Sequence, residues 1–199
     1  MLIGDILVHN ILPQDGEAFY YPDFFSKIES THLFKSLSEK INWKQSPIKM
    51  FGKEILQPRL TAWYGEPGVM YTYSGLSMDA QEWNQDLLAI KFQIEKVALI
   101  TFNGVLLNRY RNEKDSMGWH RDNEKELGKN PIIGSVSFGE PRVFELRHAE
   151  NKKLKVSIEL EHGSLLIMRG ETQHYWQHRL PKKSKECGER INLTFRAVF

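Results

Sequence analysis

The spacing of apolar residues changes near residue 97, and the two parts of the chain predict different kinds of element. In the first part, apolar side chains recur every three to four residues, which is typical of helices with one buried face. A first helical region is predicted to begin at Pro22, because proline suits a first helical position, and to restart after a cap at Thr31. Its buried face comprises Phe24, Phe25, Ile28, Leu33, Phe34 and Leu37.

A second helix is predicted between about Asp79 and Phe92, with Ser77 or Asp79 as its N-cap. Its buried stripe consists of Trp83, Leu87 and Ile90. Residues 46–67 combine glycine, proline and aromatic residues without a clean period, so an irregular segment is predicted there. Residues 1–20 are expected to form short strands and turns.

From Val97 onward, a period of two and short apolar runs predict strands. They are expected near Ala98–Tyr110, Ile132–Phe138, Val143–Arg147, Leu154–Leu160, Ser164–Met168, His174–Leu180 and Ile191–Phe199. Short strands at this spacing are typical of a sandwich or jelly roll. The predicted fold class is therefore α+β and mainly β, a single domain over residues 1–199 with helices first and a double-sheet barrel after them.

Composition adds few constraints. The 199 residues carry a net charge of +2, which requires no polyanionic partner, although basic residues cluster at Lys152–Lys155 and at Arg179–Lys185. Such clusters suit either a solvated surface or phosphate contacts. Cys187 is the only cysteine, so no internal disulfide can form, which fits a reducing compartment. Without a basic leader or a membrane-spanning apolar run, we expect an intracellular monomer that does not contact membranes.

The stretch from Gly118 to Asp122 carries the candidate chemistry. His120 and Asp122 are two residues apart, so in an extended strand both side chains lie on one side and can hold one metal ion. Two histidines and one carboxylate leave further coordination positions open, which suits a non-heme Fe(II) oxygenase. His178 follows Asp122 by 56 residues in a strand-like segment and is the candidate third ligand.

The segment from Arg190 to Arg196 alternates almost perfectly between apolar and polar residues. Its polar side holds two arginines, an asparagine and a threonine, and Asn108 and Tyr110 form a similar polar pair on another strand. An exposed strand face is one interpretation. A pocket for a small dicarboxylate is the other, because the planar guanidinium of arginine pairs with carboxylates bidentately.

The order of these motifs resembles the AlkB family of Fe(II)/2-oxoglutarate-dependent nucleic-acid dealkylases, over roughly residues 50–199. Further likeness to the branch that prefers double-stranded DNA lies in Pro58-Arg59, Tyr64-Gly65, Tyr71–Gly75, Ser135–Gly139 and His162–Leu166. The resemblance implies a double-stranded β-helix, that is, a jelly roll. Residues 1–96 would form an N-terminal extension and nucleotide-recognition lid, and residues 97–199 the catalytic core.

The resemblance also implies roles for individual residues. The Fe(II) ligands would be His120, Asp122 and His178. The residues binding 2-oxoglutarate would be Asn108, Tyr110, Arg190, Asn192, Thr194 and Arg196. The residues around the substrate base would be Tyr71, Thr72, Tyr73, Asn123 and Glu124, with Tyr73 standing where the nearest relatives are expected to carry phenylalanine. The residues contacting DNA would be Phe51, Gly52, Lys53, Arg59, Lys182, Lys183 and Lys185.

The implied reaction is oxidative demethylation of 1-methyladenine and 3-methylcytosine in DNA, with double-stranded DNA as the expected partner. It consumes 2-oxoglutarate and dioxygen at Fe(II) and yields succinate, carbon dioxide and formaldehyde, without a side-chain nucleophile. Two alternatives remain open: a related enzyme acting on RNA or protein, and a cupin-like metal-binding module without turnover. We expect the cytoplasm of a prokaryote or the nucleus of a eukaryote.

Overall fold

The computed structural model describes residues 9–50, 53–73 and 76–199, without the side chains of 48–50, 53, 71–73 and 76–78. The helices are α1 (Lys27–Lys40), α2 (Gln85–Ala98) and α3 (Thr172–Tyr175), with a 3-10 turn at Lys125–Leu127. The strands are β1 (Glu17–Tyr21), β2 (Pro47–Met50), β3 (Lys53–Leu56), β4 (Leu60–Gly65), β5 (Met70–Tyr73), β6 (Leu76–Asp79), β7 (Gly104–Tyr110), β8 (Met117–His120), β9 (Ile133–Gly139), β10 (Arg142–His148), β11 (Lys155–Leu160), β12 (Ser164–Arg169), β13 (Trp176–Leu180) and β14 (Arg190–Arg196). No helix in these described ranges is long and apolar enough to cross a membrane.

The first helix differs from the prediction at its start and in its continuity. Ser26 caps α1, and its Oγ accepts a hydrogen bond from the Glu29 N–H at 3.3 Å. Thr31 caps nothing, because its hydroxyl donates to the Lys27 carbonyl one turn earlier at 2.8 Å and the helix runs through it. The predicted burial of Ile28 is wrong, since this side chain is 86% exposed.

The second helix begins and ends about six residues later than predicted. Its N-cap is Asn84, whose Oδ1 accepts from the Leu87 N–H at 2.9 Å, and not Ser77 or Asp79. Leu87 and Ile90 are fully buried as predicted, whereas Trp83 precedes the helix and packs against the core from outside it. The helix ends at Ala98, and its C-cap Leu99 adopts the left-handed conformation.

Two antiparallel sheets form the body of the structure. The larger has the strand order β1-β12-β9-β14-β7-β4 and the smaller has the order β11-β10-β13-β8. The interpretation of residues 46–67 as irregular is wrong, because they contain the hairpin of β2 and β3 and then β4. Two predicted strands also start too early, since Ala98 ends α2 and His174 lies in α3.

Two apolar layers enclose the larger sheet. On one face, α1 and α2 pack against it through side chains that include Leu37, Ile90 and Leu193. On the other face, the smaller sheet covers it through a second cluster that includes Leu166 and Trp176. The predicted jelly-roll class is confirmed by this arrangement of two facing antiparallel sheets.

The alternation of β14 decides where the functional side chains point. Ile191, Leu193 and Phe195 belong to the layer beneath the helices. The polar residues of the same strand line a cavity together with residues of β7, β8 and β13. Because a strand turns successive side chains to opposite faces, the polar set lies between the two sheets. The alternative of an exposed polar face is therefore excluded for this strand.

Candidate metal centre and active site

Three candidate ligands converge at the mouth of the space between the sheets. His120 ends β8 and His178 lies directly opposite it on β13, as a cross-strand pair with ring centroids 4.2 Å apart. Asp122 follows β8 by two residues. One potential ligand atom from each of the three lies within 4.8 Å of the others, so a single ion can contact all three.

Both histidines are held neutral and available for a metal. The Nδ1 of His120 lies 2.8 Å from the Gly118 carbonyl oxygen, which fixes the tautomer that donates there and leaves Nε2 as the ligand atom. Burial lowers the pKa of His120. Burial, reinforced by the neighbouring His120, also lowers the pKa of His178 to about 3. Neutral imidazole is the form that binds metal.

Asp122 is an ionised carboxylate in a fully buried place. Burial alone would raise its pKa, but Arg196 and the two histidines outweigh this and lower the pKa of Asp122 to about 2. Its Oδ1 accepts a hydrogen bond from Arg196 Nη2 at 2.9 Å, and its Oδ2 lies 4.0 Å from His178 Nε2. One oxygen therefore serves Arg196 while the other faces the histidine pair.

Arg190 lies at the start of β14, lines the same cavity between the sheets, and is only 2% exposed. Its Nη2 donates to the Ser137 hydroxyl at 2.9 Å, and its guanidinium lies over the Tyr110 ring at 5.3 Å. Burial lowers the pKa of Arg190 to about 10, so it stays charged at neutral pH. Within the described part of the chain its Nε has no hydrogen-bond partner and no carboxylate forms an ion pair with it. A buried cation of this kind suits an anionic ligand.

Neutral polar groups surround the two arginines. Asn192 donates to the Ser135 hydroxyl at 2.9 Å, and its Oδ1 accepts from the Thr194 hydroxyl at 3.1 Å. Asn108 stands opposite Asn192 in the β7–β14 register and lines the same cavity, as does Tyr110. The structure therefore brings together all nine residues expected to hold the metal and 2-oxoglutarate.

The donor set fits the cofactor and the co-substrate. Two imidazole nitrogens and one carboxylate oxygen are the ligands typical of a non-heme Fe(II) site with open positions. His120, Asp122 and His178 would hold the ion. Arg190, which has no carboxylate partner among the described residues, and Arg196, beside Asp122, would be the groups that bind a dicarboxylate next to it.

The role expected for Arg59 requires correction. Its side chain is 4% exposed, its Nε donates to Asn108 Oδ1 at 2.8 Å, and its Nη1 donates to the Ser116 carbonyl at 3.4 Å. A guanidinium that is buried and hydrogen-bonded to Asn108 is not available to a DNA phosphate. Its contact with Asn108 instead makes it a support for the cavity.

Where the structure describes them, the other residues expected around the base or on DNA do not form a single cluster. Asn123 is exposed and Glu124 is half-buried, both directly after Asp122. Lys182 and Lys185 are exposed, whereas Lys183 pairs with Glu140 at 3.0 Å. Phe51 and Gly52, and the side chains of Lys53, Tyr71, Thr72 and Tyr73, lie outside the described residues.

Sequence reasoning missed three polar residues that support the site. Ser135 and Ser137 hold Asn192 and Arg190, and Gln173 accepts the backbone N–H of Asp122 at 2.9 Å. The two serines alternate with Val136 and Phe138 on β9, so a period of two could have revealed them. Gln173 is 51 residues from its partner, and no local pattern shows such a contact.

Comparisons with known proteins agree with this geometry. The model of the 2OG-Fe(II) oxygenase superfamily matches residues 17–196. The chain is 45% identical over 188 residues to "Alpha-ketoglutarate-dependent dioxygenase alkB homolog 3" of Homo sapiens, covering 90% of this chain and 65% of that protein. It is 37% identical over 188 residues to "DNA oxidative demethylase ALKBH2" of Homo sapiens, covering 89% of this chain and 72% of that protein.

A solved structure, "The structure of OsALKBH1", superposes with a TM-score of 0.66 at 14% identity, covering 90% of this chain and 96% of that one, and supports the fold alone. The chain spans slightly less than two thirds of the alkB homolog 3 proteins that it matches. The superfamily match over most of the chain and the ALKBH2 relative, taken with the His-Asp-His site, show that this chain belongs to the AlkB family of 2OG-Fe(II) oxygenases.

Proposed function

We propose that this chain removes N-linked methyl groups oxidatively from alkylated bases in DNA, with 1-methyladenine and 3-methylcytosine as substrates. The observation that carries the proposal is one cavity that holds both a His-Asp-His ligand set and the buried, unmatched charge of Arg190. The name of the ALKBH2 relative, a DNA oxidative demethylase, supports DNA as the substrate.

The residues of the chain divide the work between them. The triad holds Fe(II), and Arg190 and Arg196 bind the carboxylates of 2-oxoglutarate with help from the neutral polar groups around them. When bound, Fe(II) with 2-oxoglutarate and dioxygen supplies the oxidation of the methyl group, with succinate, carbon dioxide and formaldehyde as products. Phe144, whose ring lies 5.3 Å from that of His178, and Leu106 give the cavity apolar walls that limit water.

The base must leave the duplex to reach this site. Extrusion costs a few kcal/mol, less for a damaged and poorly paired base. Stacking on aromatic side chains returns about 1–3 kcal/mol per base. We assign this stacking to Tyr73 on one face and His120 on the other, with Tyr71, Thr72, Asn123 and Glu124 around the edge of the base. Tyr71, Thr72 and Tyr73 belong to β5 of the β5–β6 hairpin.

A preference for double-stranded DNA rests on the hairpin of β2 and β3. Met50 pairs with Lys53, and only Phe51 and Gly52 stand between them in sequence. An apolar side chain at such a position can enter an opened base step and hold it open. We further infer, from the resemblance to the AlkB family, that residues 1–96 act as extension and recognition lid to a catalytic core at 97–199.

A lesion panel tests the proposal. Oligonucleotides carrying 1-methyladenine or 3-methylcytosine, in single- and double-stranded DNA and in RNA, are incubated with Fe(II), 2-oxoglutarate and the protein. Base mass then reports demethylation. We expect loss of the methyl mass from DNA with stoichiometric succinate. Succinate without any demethylated base would indicate another substrate, and faster reaction on RNA would favour the RNA alternative.

The non-catalytic alternative predicts a different outcome. A metal-binding module needs no pocket for a dicarboxylate, yet the polar face of β14 brings Arg190 and Arg196 to the metal site. Such a module would bind metal but would form no succinate from 2-oxoglutarate with any lesion in the panel. Succinate formation alone therefore separates the two classes.

A further inference from the structure

The backbone of Asp122 depends on a side chain from another element. β8 ends at His120, and Asp122 follows in a loop without a ladder partner for its N–H. That N–H instead donates to the amide oxygen Oε1 of Gln173 at 2.9 Å. Both residues are buried, and Gln173 is 0% exposed. Without this acceptor the N–H would be a buried donor with no partner, which folded proteins avoid.

The element that carries Gln173 is itself fixed to the larger sheet. Gln173 lies in α3, which leads directly into β13 and its ligand His178. The hydroxyl of Thr172 accepts from the Glu17 N–H at 2.8 Å and lies 2.6 Å from the Arg169 carbonyl oxygen. These contacts join α3 to the end of β12 and to the start of β1. Gln173 therefore offers its oxygen from a rigid base.

A second bond joins the same two segments. Arg121 Nη1 donates to the His174 carbonyl at 2.5 Å. Arg121 is next to Asp122 in the sequence, and His174 is next to Gln173. Two consecutive residues of the loop are thus bonded to two consecutive residues of α3. The segment that carries Asp122 is held against the segment that carries His178.

We propose that Gln173 is a positioning residue for the metal ligand Asp122. By accepting the Asp122 N–H, it sets the backbone so that Oδ1 meets Arg196 while Oδ2 faces His178 and the ion. The inference rests on the proposed metal site. Partners of this kind around metal ligands typically change metal affinity about 10–100-fold when removed.

The chemistry of glutamine suits this position. Its oxygen accepts the N–H without adding charge, while its Nε2 lies 3.8 Å from the Met168 sulfur. Gln173→Met keeps the length and volume of the side chain and removes the acceptor. Gln173→Glu keeps a carboxyl oxygen at the same reach, and this oxygen can accept the Asp122 N–H.

Gln177→Met is a matched control in the same segment. Gln177 is next to His178, but its side chain points to the other face of β13, where Oε1 accepts from Arg147 at 3.0 and 2.9 Å. The control therefore removes a glutamine oxygen near the site without touching Asp122. A general effect of glutamine-to-methionine changes on α3 and β13 would appear in both variants.

The test is titration of the metal-free full chain with Co(II), followed by its visible absorption bands, which report ligand geometry. We expect Gln173→Met to weaken Co(II) binding about 10–100-fold and to change the bands. Gln173→Glu should recover most of the affinity, and Gln177→Met should match the wild type. Wild-type affinity and bands in folded Gln173→Met would overturn the inference, as would equal losses in the methionine and glutamate variants.

Two further variants keep the outcome decisive. If Gln173→Met does not fold, Gln173→Asn replaces it, because a side chain shorter by one methylene group cannot bring its oxygen to the Asp122 N–H. Its Co(II) affinity must then fall, and wild-type affinity would overturn the inference. Asp122→Ala separates this question from the metal site itself. If wild-type binding does not depend on Asp122, the metal assignment fails, whereas dependence on Asp122 without dependence on Gln173 refutes the positioning role alone.

Discussion

The two carboxylate oxygens of Asp122 have different partners, so a substitution of Asp122 has two effects. One carboxylate oxygen bonds to the buried guanidinium of Arg196, and the other faces the histidine pair. Loss of the carboxylate therefore removes a metal ligand and also takes the ion-pair partner from a buried cation. Loss of either histidine removes a ligand without leaving a buried charge unpaired.

We predict that His120→Ala, Asp122→Ala and His178→Ala each abolish Fe(II)-dependent activity. Asp122→Ala should also destabilise the metal-free protein most, by about 3–5 kcal/mol, because breaking a buried ion pair leaves a buried charge. Denaturant unfolding and succinate formation measure the two effects. Full turnover by folded Asp122→Ala in metal-depleted buffer would refute the ligand assignment.

The lowered pKa values of the histidines predict how metal binding depends on pH. Protons compete with the metal only below the pKa of the ligand, and burial lowers the pKa of His178 to about 3 and that of His120 as well. Solvated histidines with pKa near 6.5 would together lose about a hundredfold in affinity at about pH 5.5. We expect a much smaller loss in Co(II) affinity between about pH 7.5 and about pH 5.5. A hundredfold loss would show that the histidines titrate as solvated groups.

The charge of Arg190 predicts a selective effect on the co-substrate. A hydrogen bond to a charged group contributes about 1.5–3 kcal/mol, so Arg190→Met should weaken 2-oxoglutarate binding about tenfold or more. DNA binding should change little, because the side chain is buried. Arg109→Met is the control, since Arg109 lies on the opposite face of β7 and pairs with Glu189 at 2.8 Å. Calorimetric titration of the Co(II)-loaded variants provides the comparison, and unchanged affinity in Arg190→Met would exclude this role.

At the scale of elements, the period of the apolar pattern was more informative than the candidate caps. The alternation in β14 predicted both of its faces, and most later strands lie within two residues of their predicted bounds. The helix starts were misplaced because serine, threonine, aspartate and asparagine occur at several positions where each could cap. Ser26 and Asn84 are the caps because the helices begin where their apolar stripes meet the core. The start of each helix therefore depends on tertiary packing.

Dependence on tertiary contacts also limited what could be predicted of the site from the sequence. His120 and Asp122 were identified by their spacing, and the other ligands by the combined order of the motifs. Yet the strand ends at His120, so Asp122 keeps its position through Gln173, which the sequence does not indicate. Arg59 was misassigned for a related reason. Its contact with DNA was expected from the family resemblance, and only the folded chain shows that Arg59 is buried and donates to Asn108.

The next prediction concerns Phe51, which lies between β2 and β3 in the sequence. Phe51→Ala should reduce activity on double-stranded lesions while largely sparing single-stranded ones, where no gap in a base stack needs to be filled. Gly52 would allow a tight turn close to the DNA. Initial rates on the same lesion in both contexts give the comparison, and Ile55→Ala, an exposed residue of β3, is the control. Equal losses on both substrates with a large fall in melting temperature would identify Phe51 as a core residue, because a buried phenylalanine contributes about 3–5 kcal/mol.

The net charge of the whole molecule is only +2, so attraction to DNA phosphates depends on where cations without an ion-pair partner lie. In the cluster from Arg179 to Lys185, Arg179 pairs with Glu145 at 2.6 Å and Lys183 pairs with Glu140 at 3.0 Å. Lys182 and Lys185 are exposed and have no ion-pair partner in the described part of the chain. Only these two lysines of the cluster are free to meet a phosphate without first breaking an ion pair.

We therefore predict that Lys182→Ala with Lys185→Ala weakens DNA binding uniformly across sequences and lowers its salt dependence. Each phosphate contact on duplex DNA contributes about 0.9 to the slope of log affinity against log salt, so the double variant should reduce that slope by about 1–2. Lys152→Ala with Lys153→Ala is the control, because it removes the same charge from exposed lysines in the turn between β10 and β11. Long-range attraction would be weakened equally by both pairs, whereas direct contact would be lost only with the first. Fluorescence anisotropy at several salt concentrations measures the slopes, and equal slopes for the two double variants would mean that the cluster is a solvated surface.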